Sequence, residues 1–280
     1  MLRHRQGQEH KNEFSEQLVM FESLTFLLTP MNGQDLNQEI SSINSTEIST
    51  QLHEMLNQRS RRLSSPHTRS HFEITPENTT LYACIQSIMK LHPMFDRAIA
   101  EILEHDKEGL VLLLSNEGMQ FWMDKLQRRL QAYEGSNEWA DRVLFLPQMQ
   151  EADYQIVVCG AHVNLDPFPF GGGVTLTDAL GCPIPVPFVS VGDLQSVHHL
   201  GSGIASALNL SSELVVSKEI GETEQSVIKK FAMKAVSLAR RQKDEDMILS
   251  HRLHECRRKL WEGDLVEAVV KEWEVFLLRI

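Results

Sequence analysis

The chain has 280 residues, of which 42% are hydrophobic, and a formal net charge of -11 at pH 7. This length allows one large domain or two ordinary ones, and the hydrophobic fraction supports a folded core. The acidic balance argues against a nucleic-acid-binding surface and against an anchor for anionic membranes, because both need an excess of cations. The sequence shows neither a signal peptide nor a run of ~20 apolar residues. We therefore expect a protein of the cytoplasm or the nucleocytoplasm, with neither nucleic acid nor membrane as a partner.

The four cysteines are Cys84, Cys159, Cys182 and Cys256. They show no CxxC spacing and lie in apolar or helical surroundings. This pattern predicts reduced structural thiols in a reducing compartment.

Residues 33–70 form the most polar stretch of the chain, rich in Ser, Thr, Asn, Gln and Arg. A segment of this composition buries little apolar surface. We expect a loop or a partly disordered insertion here, with one short helix at residues 47–57.

From Thr80 onward, short apolar runs alternate with longer amphipathic runs, which is typical of an α/β domain with a mostly parallel, doubly wound sheet. The predicted strands span residues 81–85, 110–114, 143–146, 163–165, 185–189 and 214–216. The predicted helices span residues 93–105, 119–133, 151–159, 174–180, 200–208, 222–241, 251–261 and 265–277. Ligands of such sheets bind beyond the carboxyl ends of the strands, so the loops after residues 85, 146 and 165 are where a site is expected.

The segment from Leu165 to Leu180 combines a strand end, the loop Asp-Pro-Phe-Pro-Phe, three glycines and a helix start. Backbone N–H groups of such a loop can approach a phosphate closely, and the helix dipole favours an anion there. The spacing matches neither a Walker loop nor GxGxxG. On spacing alone, a tight strand-to-helix turn without a ligand explains the segment equally well.

The same segment resembles the nucleotide-sugar loop of the O-GlcNAc transferase family (glycosyltransferase family 41), which reads Leu-Asp-x-x-Pro-x-Asn-Gly-x-Thr-Thr-x-x-Asp-x-Leu. The matching positions are Asp166, Gly172, Thr175, Asp178 and Leu180. Three positions differ from the pattern. Gly171 replaces the asparagine, Gly173 stands where O-GlcNAc transferases carry a histidine, and Val174 replaces the first threonine.

A second resemblance lies upstream, where residues 86–96 read Gln-Ser-Ile-Met-Lys-Leu-His-Pro-Met-Phe-Asp. This is similar to the family's Gln-Ser-x-x-Lys-x-His-Pro-x-Phe-Asp, in which Gln86 is the first residue. Lys90 matches the family lysine that contacts the diphosphate of the sugar nucleotide. Such a cation is needed because transfer of the sugar expels a nucleoside diphosphate, whose developing negative charge must be stabilised. Outside this context, Lys90 would be an ordinary surface lysine.

Residues 141–154 resemble the family stretch in which backbone groups after a strand recognise the uracil ring. The resemblance places Pro147 and Gln148 at the base. Tyr154 falls at the position of a UDP-contacting histidine in animal O-GlcNAc transferases, where bacterial relatives carry an aromatic residue. A helix aromatic packed into the core explains Tyr154 equally well.

Near the N-terminus, residues 14–24 resemble the segment that closes the N-terminal catalytic domain of this family. The resemblance implies the C-terminal, Rossmann-like half of a GT-B glycosyltransferase, with the missing N-terminal domain as a candidate partner. It divides the chain into a remnant of that domain at 1–32, a polar insertion or linker at 33–70, a nucleotide-sugar-binding domain at 71–245 and C-terminal helices at 246–280.

The resemblance also implies a reaction and roles for the site residues. The reaction is inverting transfer of GlcNAc from UDP-GlcNAc, with UDP-glucose as the next donor, to Ser or Thr hydroxyls of a protein acceptor. The UDP-sugar is a substrate, and neither a metal nor another cofactor is expected. The resemblance implies that Lys90 contacts the diphosphate and that Asp178 contacts the ribose. The phosphate oxygens would be contacted by the loop residues Gly172, Gly173 and Thr175, with Val174 beside them.

Two further expectations bear on this scheme. The adjacent His198 and His199 diverge on a helix or a strand, so they predict no metal site.

The alternative function is a noncatalytic remnant or interaction module that retains the fold. The departures at Gly173 and Val174, the polar insertion and the missing domain favour this alternative, whereas Lys90, Gly172, Thr175 and Asp178 favour the enzyme.

Overall fold

The computed structural model describes residues 45–63, 79–114, 118–133, 135–136, 139–192, 200–262 and 264–278. The strands of this part are β1 (Thr80–Cys84), β2 (Gly109–Leu114), β3 (Val143–Leu146), β4 (Val163–Leu165), β5 (Phe188–Val191) and β6 (Val215–Val216). The helices are α1 (Ser45–Leu63), α2 (Pro93–His105), α3 (Gln120–Gln131), α4 (Glu151–Gly160), α5 (Val174–Gly181), α6 (Leu200–Ala207), α7 (Ser211–Leu214), α8 (Glu224–Lys243), α9 (Met247–Glu262) and α10 (Asp264–Leu277). Short 3-10 turns lie at Ile88–Lys90 and Ala140–Arg142.

The strands form one sheet in the order β3-β2-β1-β4-β5-β6. All five pairings between these strands are parallel. The chain therefore winds outward in one direction from β1 to β3 and in the other direction from β4 to β6. The crevice between β1 and β4, where the direction reverses, is the ligand-binding position of doubly wound sheets. The predicted fold class is confirmed.

Alternate residues of the strands pack into two helical layers on opposite faces of the sheet, as the period of a strand requires. Tyr82 and Cys84 belong to the core that includes α2, α8 and α9, and Leu81 and Ala83 belong to the core that includes α1, α4 and α5. Both faces are covered, which is the arrangement that all-parallel sheets need because both of their faces are apolar.

Two predicted boundaries differ from the structure for identifiable reasons. The fifth strand begins at Phe188 instead of residue 185, since Pro185 and Pro187 carry no N–H for a ladder bond. Helix α9 begins at Met247 instead of residue 251. The Asp246 carboxylate there accepts N–H bonds from Ile248 and Leu249 at 2.9 and 3.0 Å, which caps the helix start.

Helix α1 is longer than the predicted helix at residues 47–57, and it packs on α4. Leu52 and Leu56 are fully buried, so the expectation that this polar stretch buries little apolar surface is wrong for this helix. The approach is close enough that a Cβ at Gly160 would lie 2.5 Å from the Leu52 side chain. Leucines four residues apart share one face of a helix, and here this face packs against α4.

The prediction of four reduced thiols is also wrong. Cys159 and Cys182 form a disulfide that joins the ends of α4 and α5, whereas Cys84 and Cys256 are buried free thiols. Spacing along the chain did not indicate this pair, because the two cysteines meet only after both helices pack on the sheet.

The predicted N-terminal remnant at 1–32 and the adjacent His198 and His199 lie outside the described residues. The proposed domain boundaries stay predictions. None of the helices in the described part of the chain has both the length and the apolar character needed to cross a bilayer.

Candidate functional site

Two segments that are far apart in sequence meet at the crevice between β1 and β4, which is the switch point where the strand order reverses direction. One follows β1 and includes the 3-10 turn at Ile88–Lys90, and the other is the glycine-rich loop between β4 and α5. The structure thereby brings together Gln86, Lys90 and Thr175, which the sequence predicted to act at one site.

Lys90 lies at the centre of this meeting point. Its Nζ donates to Gln86 Oε1 at 2.7 Å and to the carbonyl oxygen of Gly171 at 3.2 Å. The ammonium also lies 5.0 Å from the centre of the half-exposed Phe170 ring. Both hydrogen bonds that hold the cation against the glycine-rich loop therefore go to neutral acceptors.

A buried ion pair supports the segment that carries Lys90. Arg129 on α3 binds the fully buried Asp96 carboxylate through two bonds of 2.8 and 2.9 Å. The same guanidinium donates to the carbonyl oxygen of Leu91 at 2.8 Å. Because a bidentate Arg–carboxylate pair fixes geometry in two directions, it holds the backbone immediately after Lys90 in place.

Gln86 bridges the two segments. Its side-chain amide donates to the Thr175 hydroxyl while its carbonyl oxygen accepts from Lys90. A Cβ at position 172 would lie 2.2 Å from the Gln86 amide nitrogen and 3.0 Å from the Thr175 hydroxyl. The absence of a side chain at Gly172 is therefore what allows these groups to close around the loop.

The glycine-rich loop is anchored from below by an aromatic side chain and a carboxylate. Phe168 is buried and makes edge-on contacts with Phe95 and Phe231. Asp166 is 2% exposed, and its two oxygens accept from the Gly172 N–H and the Ser190 hydroxyl, each at 2.6 Å. Burial raises the pKa of Asp166 to about 7, although both hydrogen bonds and Lys90 act in the opposite direction.

Helix α5 begins at Val174, directly after Gly173. Its first N–H groups carry the positive end of the helix dipole, so this end favours an anion. One turn later, the Asp178 carboxylate accepts from the Tyr154 hydroxyl at 2.8 Å, which joins α5 to α4. Burial raises the pKa of Asp178, and burial together with this carboxylate raises that of Tyr154.

The structure places the other predicted residues on the same edge of the sheet. Val174 is 61% exposed, and Gly173 is half-buried. Pro147 and Gln148 are exposed just after β3, which is separated from β1 by β2. They lie at the carboxyl end of the sheet with the rest of the site.

The residues that support the site were not predicted from the sequence. Asp166 was matched to a family position without a role, and Asp96 was quoted in the second motif without one. Ser190 and Arg129 were not singled out at all. A signal existed for Asp166, because it directly follows the buried strand β4 and precedes Pro-Phe-Pro-Phe, so that packing of this stretch would desolvate its carboxylate.

No three His, Cys, Asp or Glu side chains of the described residues converge in a way that could hold a metal ion. The strand order and the cation between the two loops define the class: a doubly wound domain with a lysine at the switch point of its sheet.

Comparison with known proteins then specifies the fold. A mutant of the O-GlcNAc transferase of Thermobaculum terrenum superposes with a TM-score of 0.58 and 20% identity, over 76% of this chain and 38% of that one. The UDP-forming α,α-trehalose-phosphate synthase of Burkholderia vietnamiensis superposes with a TM-score of 0.50 and 11% identity, over 84% of this chain and 51% of that one. No family model matches the chain, and no similar sequence was found among curated proteins.

These likenesses show that the chain has the fold of GT-B glycosyltransferases, which confirms the predicted resemblance at the level of fold. At 11–20% identity they show the fold alone. The chain spans 38% and 51% of the lengths of these two structures.

Proposed function

We propose that this chain binds a UDP-sugar in the crevice between β1 and β4 and forms the donor-binding half of a protein O-glycosyltransferase. The observation that carries the proposal is the convergence of Lys90, Gln86 and Thr175 on the glycine-rich loop at the switch point. One of the two similar structures is described as UDP-forming, which supports UDP as the nucleotide. The other is an O-GlcNAc transferase, which supports UDP-GlcNAc as the donor, with UDP-glucose next.

Each residue has a role in this proposal that its position permits. Lys90 neutralises the diphosphate, and its charge stabilises the leaving group as the glycosidic bond breaks. The start of α5, with Gly173, Val174 and Thr175, surrounds phosphate oxygens. Gly172 has no side chain and so lets the phosphate approach the backbone closely. Its own N–H is not assigned to the phosphate, because it already donates to Asp166.

The nucleoside is bound by the neighbouring loops and helices. Asp178 accepts bonds from the ribose hydroxyls, and the Tyr154 hydroxyl orients its carboxylate. Pro147 and Gln148 offer backbone groups to the uracil ring. We place the protein in the cytoplasm or the nucleocytoplasm, where both UDP-sugars and proteins with Ser or Thr acceptor hydroxyls would be available to it.

The transfer itself is proposed to invert the anomeric centre and to need no metal, since Lys90 and the α5 terminus supply the positive charge. Acceptor positioning is assigned to the other half of the GT-B cleft. We therefore expect this chain alone to bind UDP but to transfer sugar poorly or not at all.

A noncatalytic interaction module is the second candidate, and one observation favours it. The Gln86 side chain bonds to both Lys90 and Thr175 without a ligand. A remnant that had lost its substrate would keep such a self-contained network because it still joins the two loops.

Calorimetric titration with UDP separates the two candidates. We expect wild-type protein to bind UDP and Lys90→Ala to bind about tenfold more weakly or worse, which corresponds to the ~1.4 kcal/mol scale of a charged contact. Lys229→Ala is the matched control, because Lys229 is an exposed lysine on α8. Raising the salt concentration should weaken binding to wild type more than to the Lys90 variant.

Absence of UDP binding by folded wild-type protein would favour the noncatalytic module. Equal affinities in the Lys90 and Lys229 variants would remove Lys90 from the site. Efficient sugar transfer by the purified chain would contradict the assignment of acceptor positioning to another half.

A further inference from the structure

A carboxylate whose hydrogen-bond partners among the described residues are neutral lies directly beneath the glycine-rich loop. Both partners given above for Asp166 are neutral: the Gly172 N–H and the Ser190 hydroxyl. Ser190 belongs to β5 and Gly172 to the loop, whereas Asp166 itself follows β4. One buried side chain thus joins the end of β4 to the glycine-rich loop and to β5.

The backbone packs closely around Asp166. A Cβ at Gly171 would lie 2.8 Å from one carboxylate oxygen, and a Cβ at Gly201, near the start of α6, would lie 2.5 Å from the other. Two glycines therefore lie so close to the carboxyl group that neither position has room for a side chain. Gly171 is also the residue whose carbonyl oxygen accepts from Lys90, so the positions of the carboxylate and of the cation are coupled through one peptide.

We infer that Asp166 is a positioning residue of the proposed nucleotide site, and that it takes up a proton when a diphosphate binds above it. This inference rests on the proposed function. A neutral Asp166 keeps both of its hydrogen bonds, because its O–H donates to Ser190 while the other oxygen still accepts from Gly172. The loop geometry therefore survives the change of charge.

The charges that face Asp166 explain why binding of a diphosphate should add a proton to this carboxylate. Among the described residues these are Lys90, on the segment after β1, and the thiol of Cys84 at the end of β1, whereas β5 contributes the neutral Ser190. Burial and the Asp166 charge raise the pKa of Cys84, so the thiol stays protonated near neutral pH. A diphosphate that engages Lys90 adds negative charge near Asp166 and takes up the charge of Lys90, the cation that faces this carboxylate in the described part of the chain, so the protonated carboxyl is favoured.

The first test needs no ligand and compares wild type with Asp166→Asn, which imitates the neutral carboxyl. The pKa of Asp166 in the folded state is about 7, which is above the ordinary value of 3.8 expected in the unfolded state. The folded protein therefore holds the proton more tightly, and the free energy of unfolding falls as the pH rises from the unfolded pKa to the folded one. Between about pH 6 and about pH 8, the folding equilibrium constant of wild type should fall roughly tenfold relative to that of the variant. Parallel profiles would overturn the assignment of a titrating Asp166.

The second test measures UDP affinity by calorimetry between about pH 7 and about pH 8.5, where the phosphates of UDP are already ionised. Wild-type affinity should fall by about threefold to tenfold across this range, and Asp166→Asn should lose most of this dependence. Repeating the titration in buffers with different heats of ionisation should show proton uptake for wild type and none for the variant. Asp166→Ala, which cannot hold Gly172, should bind about tenfold more weakly than wild type or worse.

The outcomes separate the two proposals. If wild type binds no UDP at any pH, the proposed function fails and the link to nucleotide fails with it. If wild type binds UDP but Asp166→Asn shows the same pH profile and the same proton uptake, only the role of Asp166 fails. If Asp166→Ala does not fold, the comparison between wild type and Asp166→Asn still decides.

Discussion

Two long cationic side chains lie at opposite ends of the sheet and make opposite use of their charge. At the amino end, Arg142 is 9% exposed and donates to the carbonyl oxygens of Leu103, Asp106 and Gly109 at 2.5, 2.7 and 3.0 Å. At the carboxyl end, the half-buried Lys90 donates to Gln86 and Gly171 at the mouth of the crevice.

The difference lies in what each cation holds. Arg142 ties the end of α2 to the start of β2, so its bonds belong to the permanent structure of the fold. Lys90 is held by a flexible amide and a loop carbonyl, and an ammonium group has three donors, so an anion can add to or replace these contacts. We therefore expect changes at the amino end to lower stability and changes at the carboxyl end to lower ligand affinity.

The largest expected effect is at Arg142. Arg142→Ala removes three charged hydrogen bonds to buried carbonyls and should lower the free energy of unfolding by about 3–5 kcal/mol, measured by urea denaturation. Arg128→Ala is the control, because Arg128 is exposed and its side chain donates to the carbonyl oxygen of Asp124 in its own helix, and it should cost less than about 0.5 kcal/mol. A loss of UDP affinity in folded Arg142→Ala would contradict the expectation that changes at the amino end of the sheet affect stability and not ligand affinity.

The disulfide at the amino end should have the next largest effect. Its half-cystines are 23 residues apart in sequence, so replacing both with alanine should lower the free energy of unfolding by about 3 kcal/mol. Dithiothreitol should destabilise wild type to a similar extent and leave the double variant unchanged. UDP affinity should change by less than about twofold, and a larger change would show that this disulfide also shapes the crevice.

At the carboxyl end, Asp178→Asn should weaken UDP binding by about fivefold to tenfold. A carboxylate accepts the ribose hydroxyl bonds more strongly than an amide does, by about 1 kcal/mol. Because burial raises the pKa of Asp178, the neutral variant should be at least as stable as wild type at neutral pH. Asp124→Asn on the exposed face of α3 is the matched control, and equal affinities for the two variants would exclude Asp178 from the site.

The smallest effect is expected for Tyr154→Phe, which removes the hydroxyl that orients Asp178. It should cost about 1 kcal/mol of stability and reduce UDP affinity by about threefold or less, as measured by denaturation and calorimetry. A loss of affinity beyond tenfold without loss of stability would instead indicate a direct contact between Tyr154 and the nucleotide.

The α/β architecture was predictable because each buried strand and each amphipathic helix leaves a local pattern. The predicted strands at 143–146 and 163–165 have the observed boundaries, and the helix from Pro93 to His105 does too. Proline at the first turn of that helix is a signal that needs no partner elsewhere in the chain. The two loops with Lys90 and Thr175 were likewise recognisable from contiguous motifs.

By itself, the sequence determined the succession of strands and helices and the residues that each loop offers, because these depend on local backbone preferences and on the period of the apolar residues. The tertiary structure alone decided which distant groups meet. It placed Lys90 against Gly171, paired Cys159 with Cys182, and buried Asp166 between two glycines. Such contacts and the loss of water around them arise only when the layers pack, and no short stretch of sequence encodes either.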